Sequence, residues 1–106
     1  MRIYVAGKIT GCDKAEVLAK FGHAAAMLRA KGHAVFVPTC LPDYGEDKVS
    51  HSDYMHICRA MIDVCDAVYF LRDWKESRGA TEEHSYAKER RKLLSFEDEP
   101  APGCGR

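Results

Sequence analysis

The order of apolar runs along the chain predicts an α/β fold, a parallel β-sheet between layers of helix. Two observations carry this. Short apolar runs alternate with longer stretches of helical periodicity, and most of the connections between them are short. Parallel strands joined through helices take right-handed crossovers, so the same pattern also limits the topology.

Arg2–Ala6 is an apolar run closed by Gly7 and predicts the first strand. The turn Gly7-Lys8-Ile9-Thr10-Gly11 leads to a helix from about Lys14 to Lys31, where Val17, Leu18, Phe21, Ala24, Ala25 and Leu28 form the apolar stripe. Gly32 suits the stop of that helix. His33–Val37 predicts the second strand, ended by Pro38. Residues 38–51 hold Pro38, Pro42 and Gly45 and form a loop, long for a domain of this size and therefore of functional interest.

A second helix is expected from about Ser52 to Val64, with Met55, Cys58, Met61, Ile62 and Cys65 inward. Ala67–Leu71 is apolar throughout, as a strand buried on both faces should be. The loop Arg72–Glu76 carries the single tryptophan, Trp74, and a third helix covers about Arg78–Arg91. Leu93–Phe96 predicts a fourth strand, and Glu97–Arg106, with two prolines and two glycines, a frayed tail. The expected architecture is a flavodoxin/Rossmann-like three-layer sandwich with four or five parallel strands in the order 2-1-3-4. One domain accounts for residues 1–96, since 106 residues bury one core and not two.

Sixteen basic and sixteen acidic residues cancel, which leaves no footprint for a nucleic acid polymer or an anionic membrane. No apolar stretch approaches the length of a membrane span, and no signal peptide is expected. The cysteines, Cys12, Cys40, Cys58, Cys65 and Cys104, are scattered and form no C-x-x-C pair, so reduced thiols in a cytoplasmic protein are expected. Histidines 23, 33, 51, 56 and 84 show no metal-binding spacing, and neither a metal nor another cofactor is expected.

In parallel sheets of this kind the ligand lies beyond the carboxyl ends of the strands. The Gly7–Gly11, 38–51 and 72–78 loops all emerge there and bring Lys8, Ser77 and Glu83 to one edge. Helical spacing puts Glu83 on a face with Gly79, Ala80, Tyr86 and Ala87, a packed face with one carboxylate in it. Burial of a carboxylate is costly, so Glu83 needs partners, a raised pKa or a cavity, with Lys8 and Arg78 as opposing cations. Glu82 falls with Ser85, Glu89 and Lys92 on what reads as a solvated stripe. Ser77 is placed to cap the third helix, with Arg78 and Gly79 opening it. The Gly7–Gly11 turn has the wrong spacing for a P-loop, which excludes triphosphate hydrolysis, but Lys8 and Thr10 suit a monophosphate or a sugar hydroxyl.

Tyr4-Val5-Ala6-Gly7, Cys65-Asp66-Ala67-Val68-Tyr69 and the run Trp74-Lys75-Glu76-Ser77-Arg78-Gly79-Ala80-Thr81-Glu82-Glu83-His84 together resemble a known group. It comprises small domains of uncertain function related to nucleoside 2-deoxyribosyltransferases and to 2′-deoxynucleoside 5′-monophosphate N-glycosidases, and the likeness runs from residue 2 to about 96. The resemblance implies Glu83 as the nucleophile that attacks C1′ of the sugar, oriented by Tyr4. It implies substrate contacts at Gly7, Lys8, Thr10, Asp66, Ser77, Arg78 and Gly79. Serine at position 77, where the deoxyribosyltransferases carry aspartate, implies a 5′-phosphate on the substrate. A guanidinium and helix N–H groups beside it suit that dianion. The group's assisting aspartate, eight residues before Asp66, is replaced by Cys58, with Asp53 and His56 as candidate substitutes. The resemblance further implies a nucleotide or nucleoside ligand and a homodimer or larger homo-oligomer, with a non-catalytic nucleotide-sensing module as the alternative to an enzyme.

Overall fold

The computed structural model describes residues 1–40 and 50–97. Four strands, β1 (Arg2–Ala6), β2 (Ala34–Phe36), β3 (Ala67–Phe70) and β4 (Leu93–Phe96), form one parallel sheet in the order β2-β1-β3-β4. Between them run α1 (Lys14–Ala30), α2 (His51–Val64) and α3 (Arg78–Glu89), with short 3₁₀ turns at Pro38–Cys40 and Trp74–Glu76. The three-layer α/β sandwich and its strand order are those that the sequence predicts.

Alternation along the strands decides which helix meets which face. Ile3 and Val5 of β1 and Ala67 and Tyr69 of β3 point to one side and pack with Val17, Phe21, Ala24, Ala25 and Leu28 of α1. Tyr4, Ala6, Val68 and Phe70 point to the other and meet Cys58 and Ile62 of α2 and Ala80 and Ala87 of α3. The central strands β1 and β3 are thus covered on both faces, and they are the apolar runs of the sequence. Leu18 departs from the expected stripe and is 50 % exposed. It lies a residue round the helix from Val17, past the edge of the single face that α1 turns to the sheet.

Cap chemistry sets the helix starts. Asp13 accepts from the N–H groups of Ala15 and Glu16, Ser50 from Asp53, and Ser77 from Ala80. Gly32 follows α1 at φ +92°, a conformation that disfavours side chains with a Cβ. Several boundaries are tighter than the sequence suggests, among them the end of α1 at Ala30 and of β3 at Phe70. The second strand is Ala34–Phe36 rather than His33–Val37, and α3 ends at Glu89, with Arg91 at φ 59° turning the chain into β4. Pro42, Gly45 and the rest of the 38–51 loop after Cys40 lie outside the described residues until Ser50, as does the tail after Glu97.

Candidate active site

Tyr4 is the residue of β1 that points toward α2 and α3, and it is completely buried. Its hydroxyl donates a hydrogen bond of 2.6 Å to Glu83 Oε2 in α3. Glu83 is 4 % exposed, the buried charged side chain among the described residues. Burial pushes its carboxyl up from 4.5 to about 7, opposed by the Tyr4 hydroxyl, the Cys58 thiol and the Arg59 guanidinium. The raised value agrees with the packed face read from the sequence. The opposing cation is Arg59, from α2, rather than Lys8 or Arg78.

Cys58 is fully buried beside this pair. Its thiol is pushed up to about 12, first by burial and then by the charge of Glu83. Burial and the Glu83 charge also raise the Tyr4 phenol well above its ordinary value. Tyr54, one turn before Cys58 in α2, acts on that thiol in the opposite direction and offsets part of its rise.

A cavity of about 360 Å³ opens from Tyr4 and Glu83 to the surface. Gly7, Ile9 and Thr10 line it from the β1–α1 connection, and Ser77, Arg78, Gly79 and Ala80 from the first turn of α3. His51, Tyr54 and Met55 complete it from the start of α2, with Pro38 and Glu76 at its edges. Ser77 Oγ accepts from Ala80 N at 3.0 Å. The N–H groups of Arg78 and Gly79, in the same first turn, lie outside the helical ladder, and both residues line the cavity.

The loops around the cavity are tied together. Asp73 accepts from Lys8 N at 3.0 Å and pairs with Lys20 of α1, which joins the Gly7–Gly11 turn to the 72–77 segment. Trp74 stacks on His84 of α3, with ring centroids 4.5 Å apart, and packs on Phe70 and Phe96. This fixes the backbone that leads into Ser77. Gly7 leaves β1 so close to β3 that a Cβ there would lie 2.7 Å from Leu71 Cδ1.

Of the residues singled out in the sequence, Tyr4, Gly7, Thr10, Ser77, Arg78, Gly79 and Glu83 share this cavity. Lys8 stands beside it, its Nζ 3.8 Å from Glu76 Oε1. Asp66 does not join them. It opens β3 at the amino edge of the sheet, the opposite edge, where it accepts from Arg2 N at 2.9 Å, and that N–H holds its carboxyl below the ordinary range. Asp53 and His56 are exposed on α2 and do not line the cavity. Tyr86 turns to the α2–α3 seam, where it donates to Asp63 at 2.7 Å.

Glu82 is not a free member of a solvated stripe. Its carboxylate takes His51 at 3.2 Å, Arg78 at 3.1 Å and Arg59 at 3.5 Å, and joins the starts of α2 and α3. Burial opposes its charged form, yet His51 and Arg78 hold the carboxyl below its ordinary value. The sequence reading missed His51 and Tyr54 as cavity residues. Their signal was the spacing His51, Tyr54, Met55, Cys58, one stripe of α2.

The sandwich, with a buried carboxylate at the carboxyl edge of its sheet, has the fold of a deoxyribosyltransferase. The structure of the 2-desoxiribosyltransferase from Leishmania mexicana superposes with a TM-score of 0.66 at 24 % identity, over 90 % of this chain and 62 % of that one. The chain thus spans about three-fifths of that enzyme's length. Residues 1–96 match the family described as Domain of unknown function (DUF4406), and the chain belongs to that family. No curated protein matches it. Among the described residues no helix is long and apolar enough to cross a membrane, and no three His, Cys, Asp or Glu side chains gather as a metal set.

Proposed function

We propose that the protein cleaves the base–sugar bond of a (deoxy)nucleoside 5′-monophosphate, as an N-glycosidase or a deoxyribosyltransferase-like enzyme with Glu83 as nucleophile. The observation that carries this reading is the buried Glu83 carboxylate on the cavity wall, held by the Tyr4 hydroxyl at 2.6 Å. A carboxylate that is buried and hydrogen-bonded by neutral groups keeps its nucleophilicity, and the bond from Tyr4 fixes its direction. Glu83 attacks C1′ as the bond from C1′ to the base nitrogen breaks. The bonding pair leaves with the base, which takes its proton from solvent, and a glycosyl ester remains on Glu83. Water or a second base then attacks C1′ from the opposite side, gives up a proton to solvent and releases Glu83 as carboxylate. Two inversions give retention.

Ser77, Arg78 and the first turn of α3 receive the phosphate, with Thr10 and Gly7 across from them. The deoxyribosyltransferase fold supports the same reading. Incubation with a panel of deoxynucleoside monophosphates tests it: wild type releases free base, and Glu83→Ala binds nucleotide but releases none. Base release undiminished in Glu83→Ala would remove the nucleophile.

One observation favours a second reading, a nucleotide-binding module that senses its ligand without turning it over. Cys58 is fully buried with a thiol near 12, so at neutral pH it is a poor proton donor to a departing base. Tight nucleotide binding without base release, from both wild type and Cys58→Asp, would decide for that reading.

A further inference from the structure

Among the described residues two carboxylates line the cavity, Glu83 and Glu76, in opposite surroundings. Glu83 is 4 % exposed at the closed end, and the Glu76 side chain is 70 % exposed at the mouth. Glu76 sits on fixed backbone. Its N–H donates to the Asp73 carbonyl at 3.0 Å, Trp74 clamps the same turn against His84, and the next residue is the cap Ser77. Among the described residues the basic side chains around the mouth are engaged: Arg78 and Arg59 pair with Glu82, His51 contacts the same carboxylate, and Lys8 pairs with Glu76 at 3.8 Å.

We infer that Glu76 is a specificity-determining residue that admits one phosphate at the α3 end of the cavity and disfavours a second. The inference rests on the nucleotide reading above. With the sugar directed inward to Glu83, a phosphate on the first turn of α3 can be extended only outward. In that direction a β-phosphate approaches the Glu76 carboxylate, whose exposed contact with Lys8 at 3.8 Å offsets its charge only in part. A monophosphate keeps its charge on the N–H groups of the first turn of α3, beside Arg78, which it shares with Glu82. Repulsion between like charges a few ångström apart at an exposed site alters affinity by about fivefold to tenfold.

Calorimetry on wild type and Glu76→Gln, with a deoxynucleoside, its 5′-monophosphate and its 5′-diphosphate and without divalent metal, tests the inference. The ratio of diphosphate Kd to monophosphate Kd should fall about fivefold to tenfold in Glu76→Gln, while nucleoside affinity stays unchanged. The difference between the two proteins should shrink in 0.5 M salt, where an exposed charge is screened over about 4 Å. Lys8→Gln, which leaves Glu76 unneutralised, should move the ratio the other way. An equal ratio in wild type and Glu76→Gln overturns the inference, as does equal weakening of all three ligands. If wild type prefers the monophosphate to the nucleoside but the ratio is unmoved, the phosphate reading stands and this inference falls alone. If wild type binds monophosphate and nucleoside equally, both fall.

Discussion

Replacement of Glu83 by glutamine should stabilise the fold at alkaline pH while it abolishes chemistry. The folded chain holds the Glu83 proton up to about pH 7, whereas the unfolded chain releases it near 4.5. Between those values the folded state binds more protons than the unfolded one, so Glu83 makes stability fall as pH rises. Its contribution is harmless below 4.5 and fully unfavourable above 7. The gap between the two values, at about 1.4 kcal/mol per pH unit, comes to about 3 kcal/mol. Glutamine keeps the size and an oxygen for Tyr4 to donate to, but its amide hydrogens lack the partners of a carboxylate, which costs about 1 kcal/mol. The variant should therefore be less stable than wild type by about 1 kcal/mol at pH 4 and more stable by about 2 kcal/mol at pH 8.5. Urea unfolding of both proteins across that range measures it, and the difference curve cancels every other titrating group. A difference that stays flat with pH, or that turns against glutamine as pH rises, would refute the argument from burial.

Tyr4→Phe removes the 2.6 Å hydrogen bond to Glu83. Since that bond lowers the Glu83 value, the acid limb of the pH–rate profile should move upward while the rate falls, and the profile of the variant checks this. Gly7→Ala places a Cβ 2.7 Å from Leu71 Cδ1 and 3.0 Å from Leu71 Cβ, so urea unfolding should show a loss of about 1–3 kcal/mol. A deoxynucleoside monophosphate should bind at least about tenfold more tightly than its nucleoside by calorimetry, charge-assisted hydrogen bonds giving roughly 1.5–3 kcal/mol. Arg78→Ala should remove most of that preference, and Ser77→Asp should reverse it.

The sheet order, the three helices and the packed position of Glu83 were legible because each depends on local periodicity. Tyr4, Val68 and Phe70 alternate with Val5, Ala67 and Tyr69, and that alternation assigns the two faces of the sheet. What was not legible depends on elements meeting in space. Glu82 reads as solvated on a helical wheel because two of its partners, His51 and Arg59, arrive from α2. Asp66 reads as a site residue by its place in a motif, yet the parallel sheet puts the start of β3 at the edge away from Ser77. Glu76 reads as loop polarity until the Trp74–His84 stack is seen to fix the turn that presents it.

A nucleophilic Glu83 must form a covalent bond to the sugar. A deoxynucleoside monophosphate with an arabino fluorine at C2′ should trap the glycosyl ester, because the fluorine slows the second displacement. Mass spectrometry of the digested protein should then find the fluorosugar phosphate on the peptide that contains Glu83, and find none in Glu83→Ala. Saturating binding of the analogue with no adduct on wild type, across all the bases tried, would contradict the account and leave a nucleotide-binding module in its place.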